Sequence, residues 1–279
     1  FSSFNILLNT RLSEFREVFV APNPSDCGLA AGMVCSHIKS KSPIDLTYSG
    51  PEIFDKNNLP NLSKDYHCYV NVNILIQELK ECKIVGVARG RCEHGPRALG
   101  NRSILCNPSC PNSKDILNSK VKNREWYRPF APVVRLEDVN EYFEWNKESR
   151  WMNFCPTVKE EYKEKLSAVT HEDGTARVQT VTKEQNKWLY DLLTKFKKAT
   201  GLGVLLNTSF NVDKKPILNT YLEAFEVFSN SEMDGLMLED LYISKTPVEI
   251  KEPAEIKEPA EIKEPVETHK KPAQNLTIV

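Results

Sequence analysis

Four short stretches of the chain concentrate groups that could hold phosphate. The first runs from Arg89 to Ser103 and carries Arg89, Arg91, Arg97 and Arg102 among Gly90, Gly95 and Gly100. Glycine lets backbone amides approach an anion closely, and the planar guanidinium fork matches phosphate oxygens. The second, Lys122 to Pro132, brings Lys122, Arg124 and Arg128 to the end of a helical stretch. The third is an Asp173-Gly174 turn that delivers Arg177 to a strand. The fourth, Asn207-Thr208-Ser209-Phe210-Asn211, offers neutral donors after an apolar run. The crevice beyond a strand's carboxyl end is the usual ligand site of an open α/β sheet.

Each stretch alone has a plain structural explanation. Loop arginines are commonly solvated, a helix C-terminus favours positive charge without any ligand, and Asp-Gly turns are frequent. Together they form the set that a nucleoside triphosphate beside a second phosphorylated substrate requires, several fixed cations plus neutral donors. The phosphate loop G-x-x-x-x-G-K-S/T, the G-x-G-x-x-G dinucleotide turn and the G-x-S-x-G nucleophile elbow are absent. Cys106, Cys110 and His94 could be read as a zinc site, but they lack the paired spacing of structural zinc sites.

The elements that must position these groups alternate between strand and helix, which predicts an α/β domain. Val18-Phe19-Val20 is a short β-type run, broken by Pro22 and Pro24. A helix then carries Leu29, Met33 and His37 on one face. Residues 41–72 are polar, without sustained period, and read as a connection. A helix over Ile74–Cys82 leads to the strand Ile84–Ala88, and the first arginine stretch follows directly. A helix around Lys114–Lys122, a strand through Phe130–Val134, a short helix Val139–Phe143 and a strand Arg177–Val181 come next. Thr182 and Gln185 predict a capping box for a helix with Trp188, Leu192 and Phe196 on its apolar stripe, stopped by Gly201. The strand Val204–Leu206, a Thr220/Glu223 capping box and a strand Gly235–Ser244 complete the domain.

The 279 residues suit one large domain or two ordinary ones, and 40% hydrophobic content supports a real core. A formal charge of -1 gives no bulk electrostatic reason to bind DNA or an anionic membrane, and no apolar run reaches membrane-spanning length. Phe1 to Asn9 lack the basic region of a signal peptide, and Phe1 suggests a chain cut from something longer. The eight cysteines show no C-x-x-C pair and no disulfide framework, which predicts reduced thiols and a cytoplasmic setting. The hexapeptide repeats EIKEPA, EIKEPA and EIKEPV over 249–266 place a proline in every repeat, so residues 247–279 read as a disordered tail.

The run Arg91-Cys92-Glu93-His94-Gly95-Pro96-Arg97-Ala98-Leu99-Gly100-Asn101-Arg102-Ser103-Ile104-Leu105 resembles the signature of the NodU/TobZ-type O-carbamoyltransferases. Arg128–Pro132 (R-P-F-A-P), Asp173–Val181 (D-G-T-A-R-V-Q-T-V) and Leu205–Asn211 (L-L-N-T-S-F-N) match that family in the same order. The resemblance implies a YrdC-like twisted mixed-sheet domain over 73–246. Pro22-Asn23-Pro24-Ser25-Asp26-Cys27-Gly28-Leu29-Ala30-Ala31-Gly32 resembles the end of the family's actin-like ATPase-fold domain, so residues 1–72 would be a remnant of that domain and a linker.

The resemblance further implies that carbamoyl phosphate and ATP, with Mg²⁺, form carbamoyl adenylate and release pyrophosphate. The actin-like domain would pass the carbamoyl group to a small-molecule hydroxyl acceptor, using Fe²⁺ or a similar metal. By the family pattern, Lys122, Arg128 and Arg177 are the catalytic residues. Arg97, Arg124, Asn207, Ser209 and Asn211 would complete the substrate pocket. Lys122-x-Arg124 and Ser209-x-Asn211 resemble the K-x-R and S-x-N pairs of YrdC-type nucleotide binders. Asp26 alone matches a family metal ligand, and it also suits a helix N-cap. Most of the actin-like domain is missing, so a separate chain could supply it. The competing expectation is a nucleotide- or RNA-binding module without turnover, with Trp126 and Tyr127 stacking beside the cations.

Overall fold

The computed structural model describes residues 20–24, 26–39, 42, 44–55, 66–70, 72–212 and 215–249. The β-type run at 18–19 and the repeat tail beyond 249 lie outside them. The elements in chain order are α1 (Asp26–Ile38), β1 (His67–Tyr69), α2 (Val72–Lys80), β2 (Val85–Ala88) and β3 (Arg102–Cys106). A single helical turn α3 (Ser113–Ile116) runs into a π-helical turn (Leu117–Val121), followed by β4 (Ala131–Arg135), α4 (Val139–Tyr142) and β5 (Gln179–Val181). Then come α5 (Lys187–Thr200), β6 (Val204–Ser209), α6 (Tyr221–Ser229), β7 (Gly235–Leu238) and β8 (Leu241–Ser244).

The strands form one mixed sheet in the order β1-β8-β7-β2-β3-β6-β4-β5. Pairs β2/β7 and β4/β5 are parallel, and the other neighbours are antiparallel. The α/β class and mixed sheet expected from the sequence are therefore present. The central strands β2, β3 and β7 are buried throughout, because each face of the sheet is covered. Leu105, Val133 and Leu205 pack with Leu189, Leu192 and Phe196 of α5 and Leu75 and Leu79 of α2 on one face. Ile104, Val134 and Leu206 pack with Ala224 and Phe228 of α6 on the other.

Several local expectations shift. The helix α5 is capped by Asn186, whose side chain accepts from the Leu189 amide. Gln185 does reach back to the Thr182 amide at 3.1 Å, so half of the anticipated capping box exists one turn too early. Gly201 ends α5 at φ 75°, a left-handed conformation that favours glycine. The Thr220/Glu223 box is complete. The anticipated strand Gly235–Ser244 is a hairpin of β7 and β8, turned at Glu239. The sheet also begins before residue 73: β1 pairs with β8, and within the expected connection Gly50 donates to the Cys92 carbonyl at 3.1 Å.

The helix α1 forms where expected, yet it buries none of its side chains, and Leu29 and Met33 are each 62% exposed. The cysteines also depart from expectation. Cys82, in a left-handed turn after α2, is disulfide-bonded to Cys110 beyond β3. A pairing across 28 residues of chain leaves no local spacing signal, so an all-thiol reading missed it. Cys110 is thereby removed from the zinc trio. Among the described residues no group of three His, Cys, Asp or Glu could hold a metal. No helix among them is long and apolar enough to cross a membrane.

Candidate functional site

The four polar stretches meet at the ends of β3, β4 and β6. Antiparallel register sets Leu105 and Ala131 on either side of Asn207, and Ser103 beside Ser209. Alternation along β6 then points Asn207 and Ser209 to the same face of the sheet. Both lie within the strand rather than past its end, as the expectation had it. A cleft of about 240 Å³ opens there, lined by Arg97, Arg124, Arg128, Arg177, Asn207 and Ser209 together with Phe130 and Met152.

Only one arginine of the first stretch reaches this cleft. Arg102 is fully buried and donates to the carbonyls of Arg89, Gly90 and Asn101. Arg89 stacks over the Trp188 ring at 4.5 Å and faces Asp240 at 3.7 Å. Arg91 donates to the Ser49 carbonyl at 2.9 Å. These three fold the loop and leave Arg97 to face the cleft. Glu93 does comparable work from within: its Oε1 accepts the amides of Leu99 at 2.6 Å, Asn101 at 2.8 Å and Arg102 at 3.4 Å. Burial raises the Glu93 carboxyl above its ordinary range, against those amides and the Arg102 charge, which favour the carboxylate.

The second stretch is set by the π-helical turn. The Lys122 amide bonds the Leu117 carbonyl at 2.8 Å, five residues back, and this rotates Lys122 into the interior. Its ammonium lies 2.6 Å from the Ser209 carbonyl, 3.3 Å from Ser209 Oγ, 2.8 Å from the Asn211 carbonyl and 2.7 Å from Asn211 Oδ1. Lys122 therefore sits behind the Ser209–Asn211 segment and braces it. Burial, followed by the charges of Arg124 and Arg128, pushes the ammonium down to about 7. The four oxygens oppose that shift, because each accepts from the charged ammonium.

Asn118 organises the turn that follows. Its amide donates to the carbonyls of Trp126 and Arg128, both at 3.2 Å, and its Oδ1 accepts Arg124 Nε at 2.7 Å. Arg124 also stacks over Phe130 at 4.4 Å. Arg128 is exposed at the rim, 3.8 Å from Glu125. Arg177 follows a tight turn in which Asp173 accepts the Thr175 amide and hydroxyl. Its Nε is buried and has no partner.

Four guanidinium groups and no carboxylate line the cleft among the described residues. Burial, then the Arg97 charge, pushes Arg177 down to about 10. Burial, then the Arg128 charge, pushes Arg124 down to about 10. Like charges held together in a partly desolvated cleft make a strong attractor for a polyanion, whose arrival relieves both penalties.

The neutral side chains are less available as donors than the sequence suggests. Asn207 Nδ2 donates to Gln179 Oε1 at 2.6 Å and to the Ala98 carbonyl at 3.1 Å. The Ser209 hydroxyl donates to Asn211 Oδ1 at 2.7 Å. Gln179, buried beside Asn207, donates to the Leu99 carbonyl at 2.8 Å and so ties the third stretch to the first. Asn118, Gln179 and Glu93 went unassigned in the sequence, and Arg102 was grouped there with the phosphate-holding cations; Glu93 and Gln179 lie inside the motif runs, which was the available signal.

Residues 76–245 match the family model described as the carbamoyltransferase C-terminus. The chain belongs to the NodU-type carbamoyltransferase family. It is similar to the nodulation protein NolNO of Sinorhizobium fredii, at 36% identity over 86% of this chain and 38% of that protein. It is also similar to the 3'-hydroxymethylcephem-O-carbamoyltransferase of Streptomyces clavuligerus, at 37% identity over 83% of this chain and 44% of that one. The chain thus spans less than half the length of these two relatives. Among solved structures, full-length HypF in its phosphate- and nucleotide-bound form is similar over 62% of this chain and 24% of its own, at TM-score 0.41 and 18% identity.

Asp26 stands first in α1 and is exposed. No group of three metal-ligating side chains surrounds it among the described residues, so these residues do not fit a resident metal ion.

Proposed function

We propose that this carbamoyltransferase chain carries out the activating half-reaction, forming carbamoyl adenylate from carbamoyl phosphate and ATP. The observation that supports this reading is the convergence of Arg97, Arg124, Arg128, Arg177, Asn207 and Ser209 on one cleft. Water cleaves carbamoyl phosphate to carbamate and phosphate. A carbamate oxygen then attacks the α-phosphorus of ATP, the bond to the β-phosphate breaks, and pyrophosphate leaves. ATP enters as its Mg²⁺ complex, a substrate rather than a resident ion.

Such a displacement needs alignment and charge neutralisation more than covalent help. Arg124 and Arg128 neutralise the nucleotide phosphates, while Arg97 and Arg177 hold the acyl phosphate end. Lys122 and Asn211 keep the Ser209 backbone in place behind them. The domain is YrdC-like in this reading, and α1 belongs to the end of an actin-like domain. The rest of that domain, with the metal and the acceptor hydroxyl site, is supplied by sequence beyond the matched region or by a separate chain.

The test is carbamoyl-phosphate-dependent exchange of labelled pyrophosphate into ATP. Wild-type protein should catalyse it and Lys122→Ala should abolish it. A second reading, nucleotide or RNA binding without turnover, draws support from Trp126 and Tyr127, which are 70% and 60% exposed beside Arg124 and Arg128. Tight nucleotide binding with no exchange would select it.

A further inference from the structure

The Asn207 amide carries two donor protons and one acceptor oxygen. Both its donations are spent inside the protein, on Ala98 O and Gln179 Oε1, which fixes the rotamer with Oδ1 as the oxygen left over. That oxygen is buried and has no partner, although Asn207 lines the cleft. Gln179 could in principle present its own amide the other way round. Its donation to the Leu99 carbonyl forbids this, because Gln179 must then show Asn207 an acceptor. The chain Leu99 O, Gln179, Asn207 is therefore polarised in one direction and ends on an unpaired acceptor.

The only other unpaired buried side-chain atom among the lining residues is Arg177 Nε, a donor. An acceptor and a donor left over in one cleft of guanidinium groups fit a small ligand that offers one N–H and one oxygen. A carbamoyl group does this through its amino group and its carbonyl or ester oxygen. An acetyl group of the same size presents a methyl in place of the amino group and leaves Asn207 Oδ1 unpaired.

We infer that Asn207 is the specificity residue for the amino group of the acyl phosphate, and that Gln179 is the positioning residue that keeps its oxygen available. This rests on the acyl phosphate reading given above and assigns the discrimination within that site. Leaving a buried acceptor unpaired costs enough to weaken binding by at least about tenfold.

The experiment compares carbamoyl phosphate, acetyl phosphate and inorganic pyrophosphate by titration calorimetry on the full chain. Wild-type protein should bind carbamoyl phosphate at least about tenfold more tightly than acetyl phosphate. In Gln179→Met, which has neither amide group, the ratio should fall below about threefold while pyrophosphate affinity holds, since the arginines that read phosphate are untouched. Asn207→Leu should also bring the ratio below about threefold, and serves if the Gln179 variant does not fold. A wild-type ratio near one overturns the inference alone. A variant that folds and keeps the full preference also overturns it. Wild-type protein that binds pyrophosphate but neither acyl phosphate overturns the acyl phosphate reading as well.

Discussion

The ammonium of Lys122 lies 2.6 Å from the carbonyl oxygen of Ser209, across 87 residues of sequence. This contact joins the π-helical turn to the end of β6, and with the two bonds to Asn211 it fixes the wall behind the arginine cleft. The wall depends on a proton. Burial and the neighbouring arginines bring Lys122 down to about 7, so the charged form is lost as pH rises through that value. Pyrophosphate affinity should therefore fall between pH 6 and pH 8. Binding near pH 7.5 should take up a proton, detectable as a buffer-dependent heat in calorimetry. In Lys122→Met the pH-dependent limb should flatten. Pyrophosphate affinity independent of pH in the wild type would remove Lys122 from the charge balance. The sign for folding is opposite: the folded pKa is depressed from 10.5, so this group destabilises below about 7 and the penalty is relieved as pH rises above it.

Arg177 has a different part. It is half-buried, its Nε lacks a partner, and it stands among like charges. Removing it takes away a ligand group without breaking a folding contact. Arg177→Ala should weaken carbamoyl phosphate binding by about 10- to 100-fold, the worth of one or two charge-assisted hydrogen bonds. The urea midpoint should hold or rise slightly. Arg177→Lys should recover little, because a point charge does not reproduce the planar fork. A large loss of stability in Arg177→Ala would show that the side chain holds the fold instead.

The parts of this site that the sequence reveals are those with distinctive side chains in runs. Arg97, Arg124, Arg128 and Arg177 stand out as cations at element ends, and the motif runs tie them together. Their neighbours resist such a reading. Arg89 and Arg102 have the same composition signal as Arg97, but serve a tryptophan ring and backbone carbonyls. Asn118 reads as an ordinary helical polar residue, yet its amide holds the whole Arg124–Arg128 turn. The inward rotation of Lys122 depends on a π-helical turn, which no spacing rule detects. Donor and acceptor directions are set by tertiary partners, so Asn207, which reads in sequence as a free donor, spends both N–H groups on Ala98 O and Gln179 Oε1 and keeps only its oxygen unpaired.

The disulfide between Cys82 and Cys110 ties the end of α2 to the turn that precedes α3, and α3 leads directly to Lys122. A closed loop of this length limits the unfolded chain by about 3 kcal/mol. The free energy of unfolding from urea titration should fall by about that amount in dithiothreitol, with the midpoint moving to lower urea, and the Cys82→Ser, Cys110→Ser double variant should match the reduced wild type. Equal midpoints with and without reductant would show that the bond contributes nothing in solution.

Glu93 gives the sharpest test of how the arginine loop is built. One carboxylate oxygen accepts three amides, from Leu99, Asn101 and Arg102, and this closes the segment that carries Arg97. Glu93→Ala leaves those donors buried without a partner and removes the carboxylate that acts most strongly on the Arg102 charge. The cost should be about 3 kcal/mol or more in urea denaturation. Glu93→Gln keeps one acceptor oxygen, so it should recover about half of that stability. Because Ala98 O and Leu99 O anchor Asn207 and Gln179, both variants should also blunt discrimination between carbamoyl and acetyl phosphate. If the alanine variant stayed within 1 kcal/mol of wild type, the loop would have to be held by Arg102 and its carbonyl contacts alone, and Glu93 would lose its place in the site.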